Sequence, residues 1–527
     1  MSEPSKFKTW LPFVLGIVLA AGILLGSRLS IAPVANNYNK INDVLGYIRQ
    51  EYVDTINQKQ LVDGTIEKML EQLDPHSAYI PAEDLQSANE PLEGNFEGVG
   101  IEFHIQQDTI MVVAAISGGP SESVGIIAGD RIVKVNGKNV AGTNVTNELV
   151  LKTLRGKGGT KVKVGIQRRG EPRLRDFTIT RGKIPIYSVD VAYMVDAKTG
   201  YIKISRFAAT TVKEYMDAFT RLRNQGMAQL ILDLRGNPGG YLDAATELAD
   251  EFLDGKKLIV YTQGKSRPRT DYFADQPGQF EKGKIVVLID EGSASASEIL
   301  SGALQDWDRA TIIGRRSFGK GLVQEQTTFP DGSAMRLTIA RYYTPTGRSI
   351  QKSYKNGVEA YNDELMTRIR HGELESADSI HMIDSLKFTT PGGKTVYGGG
   401  GILPDAFVPL DTTYDSEYIN RLYGAGLLNQ FAYDYVDANR GTLKSFKTFN
   451  DFNKSFTVDE QVLKQFIAFA ETKEVKYNEK GFQRSAPLIR AQLKAFIARM
   501  IWQNNGMFPV LHTIDKTFAK ALEIINK

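Results

Sequence analysis

Residues 284–299 read KIVVLIDEGSASASEI. The apolar run at the start is typical of a strand buried on both faces of a sheet, and the small residues after it lead into a helical pattern. The run QLILDLR at 229–235 is likewise followed by a turn and a helical stretch, and ATIIG at 310–314 reads as a third buried strand. These runs predict an α/β layer over residues 186–410, with any ligand beyond the carboxyl ends of its strands.

The composition excludes several classes of function. A chain of 527 residues with 42% apolar and 24% charged residues is that of a globular protein of about two to four domains. The net charge of +3 argues against a nucleic-acid-binding protein that relies on a basic surface. Because cysteine is absent, disulfides, thiolate metal sites and a cysteine nucleophile are excluded.

The N-terminus predicts a location. Residues 1–9 contain two lysines and lead into the uncharged run TWLPFVLGIVLAAGILLGS. We interpret residues 10–27 as a transmembrane signal anchor in the inner membrane, with residues 1–9 cytoplasmic and the bulk of the chain on the periplasmic, extracytoplasmic side. A cleaved signal peptide is the alternative, but its best cleavage site, at 30–32, is followed by Pro33, which disfavours cleavage.

The remaining segments differ in their patterns. Residues 36–91 read as a helical region, and residues 411–527 as a helical extension of unknown role, where core or interface helices are the expected content. Residues 92–185 contain short β-rich runs with glycine turns and resemble a PDZ domain.

The resemblance to a PDZ domain rests on three stretches, namely Gly98-Val99-Gly100-Ile101 before a strand, AGDRIVKVNG at 128–137 and TNELVLKTLRG at 146–156. A glycine-rich turn of this kind exposes backbone N–H groups that can hold the terminal carboxylate of a peptide. An ordinary tight turn is the alternative for the Gly-x-Gly element taken alone.

The run of three serines raises the question of a nucleophile. Ser295 and Glu298 form a capping-box pattern, which explains one serine as a helix cap. A hydroxyl at the N-terminus of a helix also lies near free N–H groups, which suit an anionic intermediate. None of the five histidines follows a buried strand, so the candidate base is Lys320 in SFGKGLVQEQ. A working lysine base needs burial to lower its pKa by about 3 units, or ~4 kcal/mol.

Four motifs together resemble the carboxyl-terminal processing, or tail-specific, protease family, namely LILDLRGNPGG, SASASEILSGALQD, GRRSFGKGLVQ and GGGGILPD. With the PDZ-like part, the resemblance covers about residues 36–410. It implies a Ser–Lys peptidase with an α/β protease core of crotonase/Clp-like ββα layers, an inserted PDZ-like β-rich domain, N-terminal helices and a helical C-terminal extension. It also implies that no metal or cofactor is needed.

The same resemblance assigns the site. The nucleophile of the family is the middle serine, 25 residues before the lysine, which selects Ser295 and Lys320. Gln324 matches the family's glutamine, and alternation along a strand would place it on the same side as Lys320. Without the resemblance, a solvated strand residue is the simpler interpretation of Gln324.

Two backbone N–H groups are expected to form an oxyanion hole. The first belongs to Ala296, and the second belongs to Gly240 or Gly239 in the turn GNPGG, where glycine allows the backbone to come close. A plain strand-to-helix turn is the alternative for this stretch.

These observations predict a membrane-anchored serine endopeptidase that captures the accessible C-terminal tails of polypeptide substrates. The alternatives are a catalytically inactive PDZ adaptor tethered to the membrane and a hydrolase of small acyl compounds. The sequence leaves open whether the chain forms a homo-oligomer, and no nucleic-acid partner is expected.

Overall fold

A computed structural model describes residues 6–28, 37–381 and 384–527. The chain divides into two compact units, residues 1–69 and residues 70–527. The first unit contains helices α1 (Lys6–Arg28), α2 (Asn37–Glu51) and most of α3 (Gln58–Glu71). In the described part of the chain, no helix is both long enough and apolar enough to cross a membrane. The anchor at residues 10–27 stays a prediction.

The second unit begins with a strand and a helix that precede the PDZ-like part. Strand β1 (Ala78–Ile80) pairs with a strand of the α/β core, and helix α4 (Ala82–Glu93) ends at Gly94 in the left-handed conformation. The region predicted as helical at 36–91 thus contains a strand of the core sheet.

Residues 95–185 form a β-rich body with its own buried core of valine, isoleucine and leucine side chains. Strands β3, β4, β5, β7 and β8 form one antiparallel sheet in that order, because their alternating apolar residues face one core. Its elements are β2 (Asn95–Gly98), β3 (Ile101–Gln106), β4 (Thr109–Ala115), α5 (Pro120–Ser123), β5 (Arg131–Val135), β6 (Lys138–Asn139), α6 (Asn147–Leu154), β7 (Lys161–Gln167), β8 (Arg175–Thr180) and β9 (Gly182–Pro185).

The α/β core contains two sheets. The first has the order β10-β11-β12-β15-β16-β21, and its pairs are parallel from β11 onward. The elements of the α/β core up to β16 are β10 (Val189–Met194), β11 (Thr199–Ile204), α7 (Thr211–Asn224), β12 (Gln229–Asp233), α8 (Leu242–Asp250), β13 (Leu258–Gln263), β14 (Thr270–Phe273), β15 (Lys284–Ile289), α9 (Ala296–Asp306) and β16 (Thr311–Gly314).

The second sheet is antiparallel and has the order β1-β18-β13-β14, with β17 also paired to β18. The remaining elements of the core are β17 (Leu322–Thr328), β18 (Ala334–Tyr343), α10 (Gly357–Asn362), α11 (Glu364–Arg370), two 3-10 turns (Ala377–Ser379 and Asp384–Leu386), β19 (Lys387–Thr389), β20 (Thr395–Tyr397) and β21 (Ala406–Phe407). The buried runs at 229–235, 284–290 and 310–314 are strands of the first sheet, as the sequence predicts.

The chain ends in helices, as predicted for residues 411–527. They are α12 (Glu417–Gly424), α13 (Leu427–Ala438), α14 (Arg440–Leu443), α15 (Phe449–Ser455), α16 (Glu460–Glu471), α17 (Glu479–Leu511) and α18 (Lys516–Ile525). Helix α17 is interrupted at Trp502 and Gln503, where the backbone is not helical. Helix α18 packs its apolar side, including Phe518 and Ile525, against Tyr201 and Leu288 of the first sheet.

Candidate active site

Three loops meet at one edge of the first sheet. Strands β12, β15 and β16 are parallel neighbours, so the loops that follow them lie side by side. They contain the turn GNPGG at 236–240, the serine run at 293–297 and the lysine segment at 315–321. The residues that the sequence singles out in three separate motifs therefore reach the same place.

The three serines have different surroundings. Ser293 and Ser297 are fully buried. The hydroxyl of Ser293 donates to the carbonyl oxygen of Leu234 at 2.8 Å, and that of Ser297 to the carbonyl oxygen of Asn237 at 3.0 Å. Ser295 is partly exposed and directly precedes helix α9. Exposure thus separates Ser295 from the two serines that attach this loop to its neighbour.

The backbone of Ser295 is in an unusual conformation. Its φ of +54° lies in a region that residues other than glycine rarely adopt. Gly239 contacts it, since a Cβ atom added at Gly239 would lie 2.7 Å from the Ser295 Cβ and 2.8 Å from the Ala296 nitrogen. The close approach and the φ of +96° explain why glycine stands at position 239.

Among the described residues, the serine run and the turn GNPGG each contain one N–H group without a protein partner. In the described part of the chain, neither the N–H of Ala296 nor the N–H of Gly240 donates to another protein group. The N–H of Gly239 donates to the side-chain oxygen of Asn237 at 2.9 Å. Of the two glycines that the sequence left open, Gly240 therefore has the available donor, and Gly239 has the role of a close backbone contact.

A buried carboxylate joins the serine loop to the lysine loop. One oxygen of Glu298 accepts hydrogen bonds from the backbone N–H groups of Ser295 and Lys320, both at 2.8 Å. The other oxygen accepts from the N–H of Gly319 at 2.7 Å and from the hydroxyl of Ser317. The sequence predicts Glu298 only as a capping partner of Ser295, and the structure adds the three bonds to the lysine loop.

A tyrosine makes a second connection. Tyr342 is buried in β18, and its hydroxyl contacts the carbonyl oxygen of Ser295 at 3.0 Å and the carbonyl oxygen of Lys320. The sequence gives no signal for this residue, because Tyr342 stands in an ordinary strand pattern. Carboxylate and hydroxyl together fix the backbones of both residues.

The charge state of Lys320 follows from its surroundings. Burial lowers the pKa of Lys320 below its ordinary value of 10.5. The positive charge of Arg336 acts in the same direction, while the carboxylates of Glu298 and Asp74 oppose it. The net direction is the one that a lysine base requires.

Gln324 lies in β17, whereas Lys320 lies in the loop before it. Lys320 lies before β17, which starts at Leu322, and the pairing with β18 shifts register between Val323 and Gln324. The unpaired residue of this shift is Ile339 on β18, so alternation holds within β17, but Lys320 lies outside that strand and its side remains a prediction. The side-chain nitrogen of Gln324 donates to the hydroxyl of Thr338 on β18 at 3.2 Å.

One histidine lies closer to the lysine than the sequence indicates. The Nε2 atom of His76 is 2.8 Å from the hydroxyl of Tyr361. Burial, together with the positive charge of Lys320, lowers the pKa of His76 to about 4, although the carboxylate of Asp74 opposes the shift. His76 is therefore neutral at physiological pH and does not add positive charge to the site.

The PDZ-like body has a groove of about 280 Å³ between β3 and α6. It contains three of the four residues of the predicted carboxylate loop, Val99, Gly100 and Ile101, while Gly98 pairs with Gly182 of β9. The N–H groups of Val99 and Gly100 have no partner among the described residues. The groove is lined by Phe96, Val99, Gly100, Ile101, Glu102, Phe103, Val150, Leu151, Leu154 and Arg155.

Replacing Glu298 tests whether its carboxylate links the serine loop to the lysine loop. In Glu298→Gln an NH₂ group faces N–H donors, so at least one buried donor loses its acceptor. We expect the free energy of unfolding to fall by about 2 kcal/mol, measured by urea denaturation. Glu325→Gln is the matched control, since Glu325 is half exposed and pairs with Arg267 at the surface. Equal stability of the two variants would contradict this role.

Comparison with known proteins gives the family. The sequence matches Peptidase family S41 over residues 198–360, a PDZ domain over 98–179, the N-terminal domain of the activating protease CtpB over 27–84 and a family of unknown function over 418–503.

Two relatives are similar over most of their length. The carboxy-terminal processing protease CtpA of Bacillus subtilis is 37% identical over 330 residues, which are 62% of this chain and 70% of the relative. The carboxy-terminal-processing protease of Bartonella bacilliformis is 38% identical over 348 residues, 64% of this chain and 79% of the relative. A solved photosystem II D1 C-terminal processing protease is 31% identical, covering 60% of this chain and 84% of its own, with a TM-score of 0.35. The chain belongs to the carboxy-terminal processing protease family and is a serine-type peptidase with a PDZ domain.

Proposed function

We propose that this chain is an endopeptidase that cleaves polypeptides near their C-terminal tails, with Ser295 as nucleophile and Lys320 as general base. The observation that carries the proposal is the Glu298 carboxylate, which accepts hydrogen bonds from the backbones of both residues at 2.8 Å. It holds the one partly exposed serine of the run next to a lysine whose pKa burial lowers.

The chemistry follows from these positions. The neutral amine of Lys320 takes the proton of the Ser295 hydroxyl while Oγ attacks the scissile carbonyl carbon. The N–H groups of Ala296 and Gly240 stabilise the oxyanion. The C–N bond then breaks, and the leaving amine takes the proton from the Lys320 ammonium. Lys320 takes a proton from a water molecule while the water attacks the acyl-enzyme carbonyl. The ester C–O bond then breaks, the Lys320 ammonium returns its proton to the Ser295 oxygen, and the new carboxyl end is released.

The groove of the PDZ domain is the proposed binding site for the tail of the substrate. We propose that the terminal carboxylate of a polypeptide tail is held by the free N–H groups of Val99 and Gly100, and that its last residues pair with β3. The apolar lining of the groove, with Val150 and Leu154 from α6, favours a tail that ends in an apolar side chain.

The two alternative functions have less support. An inactive PDZ adaptor gives no reason for a buried carboxylate that joins a serine to a lysine of lowered pKa. A hydrolase of small acyl compounds gives no reason for a peptide-binding groove in the same unit of the structure.

Two substitutions test the catalytic assignment. Ser295→Ala and Lys320→Ala should each lower the cleavage of an unstructured protein such as β-casein by at least about 10³-fold, because the nucleophile or its base is lost. Binding of a fluorescent tail peptide should persist in both. The exposed Ser353→Ala and Lys355→Ala serve as controls with full activity. Normal cleavage by either site variant would sink the assignment, and binding with no turnover in the wild-type protein would support the adaptor.

The rate of cleavage should depend on pH through Lys320. Only the neutral amine accepts a proton, so kcat/KM should rise with pH and reach half of its maximum at the pKa of Lys320. Because burial lowers this pKa, the midpoint should lie below pH 10.5. Lys320→Arg should be inactive throughout, since a guanidinium stays charged. A midpoint at or above pH 10.5 would show that burial does not prepare the base.

We also propose that the peptidase acts outside the cytoplasm, at the inner membrane. Support comes from the uncharged N-terminal run and from its apolar side chains, such as Phe13 and Leu19, which are 68% and 69% exposed. In cells that express the full chain, the protein should sediment with membranes and be digested by a protease added to spheroplasts. Recovery in the soluble cytoplasmic fraction would contradict this location.

A further inference from the structure

The segment LDPHS at residues 73–77 has no part in the steps above, yet it contacts the strand that bonds Gln324. Asp74 is almost completely buried, at 7% exposure. Its carboxylate accepts hydrogen bonds from the hydroxyl of Ser77 at 2.6 Å, the N–H of Ser77 at 2.9 Å and the N–H of His76 at 2.8 Å. It also accepts from the hydroxyl of Thr338 at 3.0 Å.

The directions of these hydrogen bonds are determined. Although burial alone would raise it, the bonds from Ser77, His76 and Thr338 hold the pKa of Asp74 below its usual value. An ionised carboxylate only accepts, so the single hydroxyl proton of Thr338 points at Asp74. The Thr338 oxygen then accepts from its other neighbour, the side chain of Gln324 at 3.2 Å.

This chain of bonds decides which end of the Gln324 amide faces Thr338. Only the NH₂ group can donate to the Thr338 oxygen, so the carbonyl oxygen Oε1 must point elsewhere. In the described part of the chain, Oε1 has no hydrogen-bond donor. It is therefore available to accept a hydrogen from the amine of Lys320.

We propose that Asp74 and Thr338 are positioning residues that fix the amide of Gln324, with its carbonyl oxygen toward the amine of Lys320. The proposal deepens the proposed function and rests on it.

The orientation matters because a neutral amine has a single lone pair. An acceptor at Gln324 engages an N–H of Lys320 and leaves the lone pair for the proton of Ser295. A flipped amide would direct its own N–H groups at Lys320 and occupy that lone pair. The negative charge of Asp74 thus acts on the base through two hydrogen bonds, although it also opposes the neutral amine electrostatically.

The test is a set of substitutions at Thr338 in the full chain, with β-casein as substrate. Thr338→Val keeps the shape and removes the hydroxyl, and we expect kcat to fall about tenfold with KM unchanged. Thr338→Ser keeps the hydroxyl and should stay within about twofold of the wild type. Thr327→Val, at an exposed position of the partner strand β17, is the matched control and should leave kcat unchanged.

A second arm separates positioning from a general structural effect. In a Gln324→Ala background no amide remains to be oriented, so Thr338→Val should cause no further loss of kcat. A further tenfold loss in that background, or full activity of Thr338→Val in the wild-type background, would overturn the proposal. Thermal unfolding of each variant identifies a loss that comes from misfolding, and in that case the Thr338→Ser comparison decides. If Ser295→Ala still cleaves, the proposed function fails instead.

Discussion

The carboxylate of Glu298 is the constraint on which the candidate site depends. Neither Ser295 nor Lys320 lies in a regular element that would fix it relative to the other, since one precedes α9 and the other precedes β17. Because the carboxylate of Glu298 accepts hydrogen bonds from the backbones of both residues, this one side chain sets the distance between them. Burial disfavours the charged form of this carboxylate. It raises the pKa of Glu298 to about 7, although the carboxylate accepts four hydrogen bonds.

The same carboxylate also disfavours the neutral Lys320 amine that the proposed mechanism requires. An anion near Lys320 stabilises the ammonium, whereas a base must be neutral. The bonds of Glu298 go to backbone N–H groups instead, and among the described residues its carboxylate forms no ion pair with the amine. Burial then outweighs the two carboxylates, and the pKa of Lys320 falls.

The sequence predicts which loops form this site, but it does not predict which side chains connect those loops. Three apolar runs followed by small-residue turns predict parallel strands whose loops meet, and β12, β15 and β16 confirm this. The choice between Gly239 and Gly240 could not be made, because it depends on where the Asn237 side chain turns. The position of Gln324 relative to Lys320 stays a prediction, because Lys320 precedes β17 and alternation along a strand does not extend to it.

The helical extension is the part for which the sequence gives least, and its contacts explain why a peptidase would retain it. Arg499 of α17 pairs with Glu102 of β3 at 2.7 Å, and Tyr433 of α13 stacks on His104 of the same strand. Further along, Asp515 pairs at 2.8 Å with Arg235, which directly precedes the turn GNPGG.

The helical extension thus contacts both β3, which borders the groove of the PDZ domain, and the residue that precedes the turn GNPGG. A polypeptide tail bound beside β3 is fixed relative to the PDZ domain only. Capture therefore speeds cleavage only if the PDZ domain is itself fixed relative to the α/β core. Contacts at both ends restrict that relative motion without occupying the groove. Under the proposed function, the extension would raise the effective concentration of the scissile bond at Ser295 without contributing a chemically reactive residue.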